Sequence, residues 1–294
     1  MSKPTAFKHA GSIGDCLAAL PAIREYCRKR DKKAIFYLHK DVLAQFPEGT
    51  THPTKNEDDK MVLLNEGVCN MLIPLLKAQP YIEDAKIWDG EDIDINLDSM
   101  RDSFVNMPYG CLSRWYFYVF PDLACDLSEE WLTVPETDKD FAKGKIIVTR
   151  TERYNNQNID YSFLKEFEDD ILFSGTMREY NNFCMNFDLN VRKLNISNFL
   201  ELAQAIKQSK FHLSNQTMAL QISQGSNHPR IIELCNYAPN VIAYGKDCFD
   251  FYAQTALEYY FFRLNGMEKE WIEMYLEKNG ASPKHIIEDA PNES

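Results

Sequence analysis

The stretch Phe7-Lys8-His9-Ala10-Gly11-Ser12-Ile13-Gly14-Asp15-Cys16-Leu17-Ala18-Ala19-Leu20-Pro21-Ala22-Ile23-Arg24 decides how this chain is read. A short apolar run gives way to a turn with two glycines and an acid. A helical stripe of Cys16, Leu17, Leu20, Ile23, Tyr26 and Cys27 then follows at i, i+3/i+4 spacing. This is a strand–loop–helix unit. Gly11 and Gly14 allow positive φ or close backbone approach. Asp15 stands where the helix begins, beside unpaired N–H groups. A carboxylate at the carboxyl end of a first strand is well placed for chemistry in an open α/β sheet. It also serves as an ordinary first-turn acid, and the local residues favour that plainer reading. The G-x-x-G spacing lacks the third glycine of a dinucleotide fingerprint, and no G-K-[ST] follows to make a P-loop.

Working outward, strand-like and helix-like segments alternate almost to the end of the 294 residues, which predicts an α/β fold. Strands are expected at Ala6–His9, Ala34–Leu38, Ala85–Trp88 and Ile93–Leu97, with a helix over Met61–Ala78 that Pro80 ends. Lys40–Lys60 reads as a polar connection. The aromatic run Trp115–Phe120 could wall an acceptor site, but a buried helix is the better reading. Leu132–Gly144 is the expected linker. A second alternation begins with Lys145–Thr149. It continues through a helix near Tyr161–Phe167, strands at Ile171–Phe173 and Val191–Leu194, and a helix over Phe199–Gln208. Phe211–Leu213 is read as a strand and Met218–Gln224 as a helix. Arg230–Glu233 and Val241–Gly245 are read as the closing strands, and Phe251–Asn279 as one long amphipathic helix.

A net charge of −12 argues against a nucleic-acid backbone or an anionic membrane surface as the main partner. Eight cysteines occur with no C-x-x-C pair, and the histidines show no metal-ligand spacing, so no metal is expected. His9 and His212 fall on expected strands and read as packed residues. The start lacks an apolar signal region, and no apolar run reaches membrane-spanning length. A cytoplasmic setting with free thiols is the expectation.

Two segments resemble the family-9 GT-B glycosyltransferases, the group that includes lipopolysaccharide heptosyltransferases. The first is Gly11-Ser12-Ile13-Gly14-Asp15 with Pro21 in the following helix. The second is Phe211-His212-Leu213-Ser214-Asn215-Gln216-Thr217-Met218-Ala219-Leu220-Gln221-Ile222, followed by Pro229-Arg230-Ile231-Ile232. Pro74–Ile82 adds weaker support. The second segment, with Glu233 through Phe251, is closer to a divergent branch of transferases from phage and environmental sequences.

The resemblance implies two Rossmann-like domains whose parallel sheets face a central cleft. Residues 1–138 would form the acceptor side and 139–250 the nucleotide-sugar side, with 251–280 crossing back to the first domain. It implies transfer of a sugar from a nucleotide-sugar donor to a glycan or glycolipid acceptor, inverting and metal-independent, with the nucleotide-sugar as substrate rather than cofactor. Asp15 would be the base, and Gly11, Ser12 and Gly14 the acceptor or sugar loop. Arg150, Thr151, Arg153, Asn215, Gln216, Thr217 and Met218 would meet the donor phosphates. Gln216, Met218 and Gln221 depart from the family's usual Asp, Gly and His, which leaves a catalytically silent nucleotide- or glycan-binding module as the alternative. A GT-B epimerase would need further cleft acids and histidines that the sequence does not supply.

Overall fold

The computed structural model describes residues 3–44, 54–102 and 109–280. Part of the expected connection Lys40–Lys60 lies outside them. The first sheet is built from β1 (Thr5–His9), β2 (Ala34–Leu38), β3 (Ile82–Ile87) and β4 (Ile95–Asn96), all parallel, in the order β3-β2-β1-β4. The second holds β5 (Ile146–Thr149), β6 (Ile171–Phe173), β7 (Arg192–Lys193), β8 (His212–Ser214), β9 (Arg230–Glu233) and β10 (Cys248–Phe251). These are also parallel, in the order β10-β9-β8-β5-β6-β7. Counted from its own first strand, the second sheet runs 3-2-1-4-5-6, the Rossmann order, and the first sheet is the same pattern stopped at its fourth strand. Each sheet has one point where the strand order reverses: between β1 and β4, and between β5 and β8.

The helix after the opening turn is broken into α1 (Ile13–Ala18) and α2 (Leu20–Arg30). Pro21 has no N–H to continue the ladder, although Ala19 keeps a right-handed helical conformation. Helix α3 (Glu66–Lys77) starts later than the periodicity suggests because Asn65 caps it, its side chain accepting from the Val68 N–H at 2.9 Å. Helix α4 (Leu112–Val119) confirms the buried-helix reading of the aromatic run: Trp115, Tyr116 and Phe117 are buried. The second half adds α5 (Met177–Phe187), α6 (Phe199–Gln208) and α7 (Met218–Gly225).

The expected strand Val241–Gly245 is irregular instead. Side chains take its carbonyls: Gln224 Nε2 donates to Ile242 O at 3.1 Å, and Arg230 donates to Tyr244 O. The edge of the sheet goes to β10, which pairs with β9 from Cys248↔Arg230 to Phe251↔Glu233. The expected long C-terminal helix is two, α8 (Gln254–Leu264) and α9 (Glu268–Lys278), separated at Gly266 with φ +79°. Helix α8 packs on β9 and β10, with Phe261 against Phe163, Phe167 and Phe211 of the second half. Helix α8 thus packs on the second sheet, and α9 packs on α8.

The two halves share one apolar core. Leu17, Leu20 and Ile23 of α1–α2 and Leu72 and Leu76 of α3 join Leu202 and Ile206 of α6 and Ala219 and Ile222 of α7 in a single buried cluster. Helix α1 packs on α7, and α3 on α6. The carboxyl end of β1 is thereby carried to the start of α7. Among the described residues, no helix is long and apolar enough to cross a membrane.

Candidate active site

The turn after β1 is close-packed rather than left-handed. Neither Gly11 nor Gly14 has a left-handed φ, and close packing requires a glycine only at Gly11. A Cβ at Gly11 would lie 2.6 Å from both Asp15 Cβ and His9 Cε1. Asp15 turns back onto its own turn: Oδ2 accepts from the Ser12 N–H at 2.8 Å and from Ser12 Oγ at 3.1 Å. The first-turn role expected from the local sequence is therefore present. Asp15 Oδ2 also meets Arg101 Nη2 at 2.5 Å. The Asp15 charge raises Arg101 above its ordinary pKa, so this guanidinium stays ionised.

Arg101 and Asp98 come from a single 3-10 stretch, Leu97–Asp102, directly after β4. The reversal of strand order between β1 and β4 brings that stretch to Asp15. Asp98 Oδ1 lies 2.8 Å from His9 Nδ1 and accepts from the Ala10 N–H at 2.8 Å. Burial opposes charge on Asp98, but these partners outweigh it and hold the carboxyl below the usual carboxylate range. His9 Nε2 meets Tyr116 OH at 2.6 Å, and that hydroxyl donates to Asp15 O at 3.0 Å. Burial pushes the Tyr116 hydroxyl far up, so it remains protonated. A continuous line, Asp98–His9–Tyr116–Asp15, thus fixes the backbone of the acid while Arg101 holds its side chain. None of these partners was identifiable from sequence periodicity. The signal that would have found Asp98 and Arg101 is the strand order, which puts the segment after the fourth strand opposite the first.

The second reversal point is organised by amides. Asn215, fully buried, accepts from the Thr151 N–H at 3.1 Å and donates to Thr151 O and Tyr154 O, both at 2.9 Å. Gln216 donates to Ala238 O at 2.6 Å and Asn240 Oδ1 at 2.7 Å, and accepts from the Cys235 N–H at 2.6 Å. These two side chains hold the loops after β5 and β9 against the turn after β8. Thr217 caps α7, its Oγ1 accepting from the Ala219 and Leu220 N–H groups at 3.1 and 3.4 Å. Its own proton remains able to donate.

Arg150 is committed elsewhere. Its Nε and Nη2 meet Glu233 at 2.8 and 3.0 Å, Nη2 also reaches Asn156 O at 3.1 Å, and the guanidinium lies over the Tyr161 ring. Glu233 is fully buried and also receives the Tyr161 hydroxyl at 2.6 Å. Arg153, of intermediate burial, is stacked 4.6 Å over the Tyr154 ring. His212 is buried between Thr149 Oγ1 and Ser223 Oγ, both at 3.0 Å, as a packed residue.

The two turns meet. A methyl group placed on Gly14 would lie 3.9 Å from Met218 Cα, the first residue of α7. Gly14, and with it helix α1, is therefore brought against Met218 at the start of α7. Arg150 is turned into the second domain. Among the described residues no group of three or more His, Cys, Asp and Glu side chains is arranged to hold a metal.

No protein-family model matches the chain, and no curated protein matches it in sequence. Solved structures do match over nearly its whole length. A family-9 glycosyl transferase from Veillonella parvula is 9% identical, with a TM-score of 0.53 over 94% of this chain and 96% of that one. ADP-heptose lipopolysaccharide heptosyltransferase II of E. coli is 11% identical, with a TM-score of 0.52 over 95% and 100%. E. coli heptosyltransferase WaaC, solved with ADP-2-deoxy-2-fluoro heptose, is 12% identical, with a TM-score of 0.50 over 94% and 100%. The chain has the GT-B, two-lobed α/β fold of these family-9 glycosyltransferases.

Proposed function

We propose that this chain is an inverting, metal-independent glycosyltransferase that moves a sugar from a nucleotide-sugar donor to a glycan or glycolipid acceptor in the cytoplasm. The observation that carries the reading is the meeting of the two reversal-point turns, the Gly11–Asp15 turn lying against the start of α7 at Met218. Crevices at such points are where open α/β sheets take ligands. The likeness to heptosyltransferases, one of them solved with an ADP-heptose analogue, supports a nucleoside-diphosphate sugar as donor.

In this reading Asp15 takes the acceptor hydroxyl proton as the hydroxyl oxygen attacks the anomeric carbon. The bond to the diphosphate breaks, and the nucleoside diphosphate leaves with the electron pair. Among the described residues Asp15 Oδ1 has no hydrogen bond, so it is the oxygen that can face a hydroxyl. The departing phosphate would lie over the turn Ser214–Met218, where the α7 N-terminus favours negative charge. Thr217 would donate its hydroxyl proton there, with Thr151 and Arg153 alongside. Asn215 and Gln216 would keep the loops in register around it. Arg150 would contribute through Glu233 and the loop it braces.

A panel of nucleoside diphosphates and their sugars in thermal-shift assays tests the reading. A ligand at 100 times its Kd adds about 2.7 kcal/mol to stability. A stabilising nucleotide-sugar should then be turned over, and Asp15→Asn should abolish transfer while nucleotide binding persists. Two observations favour the second reading, a silent binding module. Met218 occupies the contact with Gly14, and Gln221 is buried with no hydrogen bond on Oε1 among the described residues. Nucleotide binding without turnover, unchanged by Asp15→Asn, would establish that module instead.

A further inference from the structure

We infer that Arg101 is a second phosphate ligand, supplied by the first domain, and that it leaves Asp15 when the donor diphosphate binds, so that the base is released only in the loaded site. The inference rests on the reading of the site as a nucleotide-sugar site.

Three observations combine. First, Arg150 is already engaged with the buried Glu233 through both Nε and Nη2. Arg150 therefore leaves room for a further cation beside a departing diphosphate. Second, Arg101 is charged, its side chain is 38% exposed, and it touches Asp15 through Nη2 alone. Among the described residues the other guanidinium hydrogens have no hydrogen-bond partner, and a guanidinium fork suits phosphate geometry. Third, Asp15 adjoins Gly14, which lies against Met218 at the head of α7. A guanidinium resting on Asp15 thus shares with Met218, at the head of α7, the turn that holds Gly14 and Asp15.

The chemistry gives the exchange a purpose. In the resting site Asp15 Oδ2 is held by the Arg101 guanidinium at 2.5 Å. Moving the guanidinium to phosphate removes the competing cation and places it where negative charge grows as the sugar departs. Acceptor activation then waits for the donor. The hydrogen bonds from Ser12 to Asp15 keep the carboxylate in place after Arg101 has gone.

The test is a double-mutant cycle on anion binding, read by calorimetry with pyrophosphate and with ADP. It needs neither the acceptor nor turnover. In the wild type the anion competes with Asp15 for Arg101. Asp15→Asn, which keeps side-chain shape, should therefore raise the affinity several-fold. Arg101→Gln should lower it about tenfold or more. In the Arg101→Gln background, Asp15→Asn should change nothing. Unaltered affinity in Asp15→Asn, or an Asp15→Asn effect that persists without Arg101, overturns the exchange while leaving a nucleotide site standing. If Arg101→Gln fails to fold, the Asp15→Asn arm decides alone, since the exchange requires a gain there. Failure of pyrophosphate and ADP to bind any of the four proteins overturns the exchange and the nucleotide-sugar reading together.

Discussion

Arg150 and Glu233 form a paired, hydrogen-bonded charge couple inside the second domain, Nε to Oε2 at 2.8 Å and Nη2 to Oε1 at 3.0 Å. It links the carboxyl ends of β5 and β9 across β8. The Asn156 N–H and the Tyr161 hydroxyl satisfy more of the carboxylate. Removing one member of a buried pair leaves an uncompensated charge and typically costs about 3–5 kcal/mol. Glu233→Ala should therefore destabilise strongly, and Arg150→Met alone comparably. The double replacement Arg150→Met, Glu233→Leu should recover much of the loss, because no bare charge remains. Urea unfolding of the three variants measures this. Additive single effects would show that the pair is not coupled.

Acidification should destabilise the second domain through two histidines. Burial, with His228 and Arg230 nearby, pulls His212 down to about 3. Burial, with Lys207 and Arg230, pulls His228 down to about 3 as well. Both are neutral in the fold and hydrogen-bonded, His212 to Thr149 and Ser223, and His228 to Ser209. Unfolded histidine titrates near 6.5. Between about 6.5 and 3 the unfolded chain binds more protons, so stability falls as pH falls, by about 1.4 kcal/mol per pH unit for each histidine. Above about 6.5 neither contributes a slope. Chemical denaturation at pH 7.5, 6.5 and 5.5 should show little change over the first step and a marked drop over the second.

Much of the fold was legible because its strands are short and apolar and its helices carry one clear stripe. Phe199–Gln208 was read to the residue, and β1, β2, β6 and β9 within one. The misreadings have physical causes. Helix α5 contains Asn181, Asn182 and Asn186, weak helix formers that dilute the pattern, although Thr176 and Glu179 carry the capping-box spacing that marks its start. The run Val241–Tyr244 has strand composition, yet its carbonyls are claimed by Gln224 and Arg230. At the candidate site, Asp15 and the turn after β8 were singled out through the family resemblance that their wording carries. Arg101, Asp98 and Tyr116 were not, because what assembles them is sheet topology across more than eighty residues of sequence. Arg150 shows the reverse: its position after β5 suggests a phosphate ligand, and only the partner on β9 reveals its engagement.

Gly225 joins the linker to the second domain. The Trp131 and Leu132 N–H groups both donate to Gly225 O at 2.9 Å, and a Cβ there would lie 2.6 Å from Leu132 Cβ and from Trp131 Cζ3. Both neighbours are buried, so neither has room to retreat. Gly225→Ala should destabilise by about 1–3 kcal/mol, the usual cost of overpacking, despite alanine's better helix propensity. A calorimetric scan that finds the variant as stable as the wild type would show that the linker slides freely over α7.

The two glycines of the opening turn should behave differently, and the difference reports on ligand. A Cβ at Gly11 would lie 2.6 Å from Asp15 Cβ and 2.8 Å from Oδ2, so Gly11→Ala must push the acid away from Ser12 and Arg101. A displacement near 1 Å at a reacting group can cost about 100-fold in rate, so Gly11→Ala should lose both stability and transfer. At Gly14 the nearest atoms to an added Cβ are Ser12 Oγ at 3.8 Å and Met218 Cα at 3.9 Å, ordinary contacts. Gly14→Ala should therefore fold as well as the wild type, or better by up to about 1 kcal/mol, because Gly14 lies within α1. If the transferred sugar must pass close to that backbone, the same methyl group should cut transfer sharply while leaving stability intact. Transfer rates and melting temperatures of the two variants, measured side by side, separate a turn that shapes the acid from a turn that meets the substrate. Full transfer in Gly14→Ala would remove Gly14 from the sugar loop.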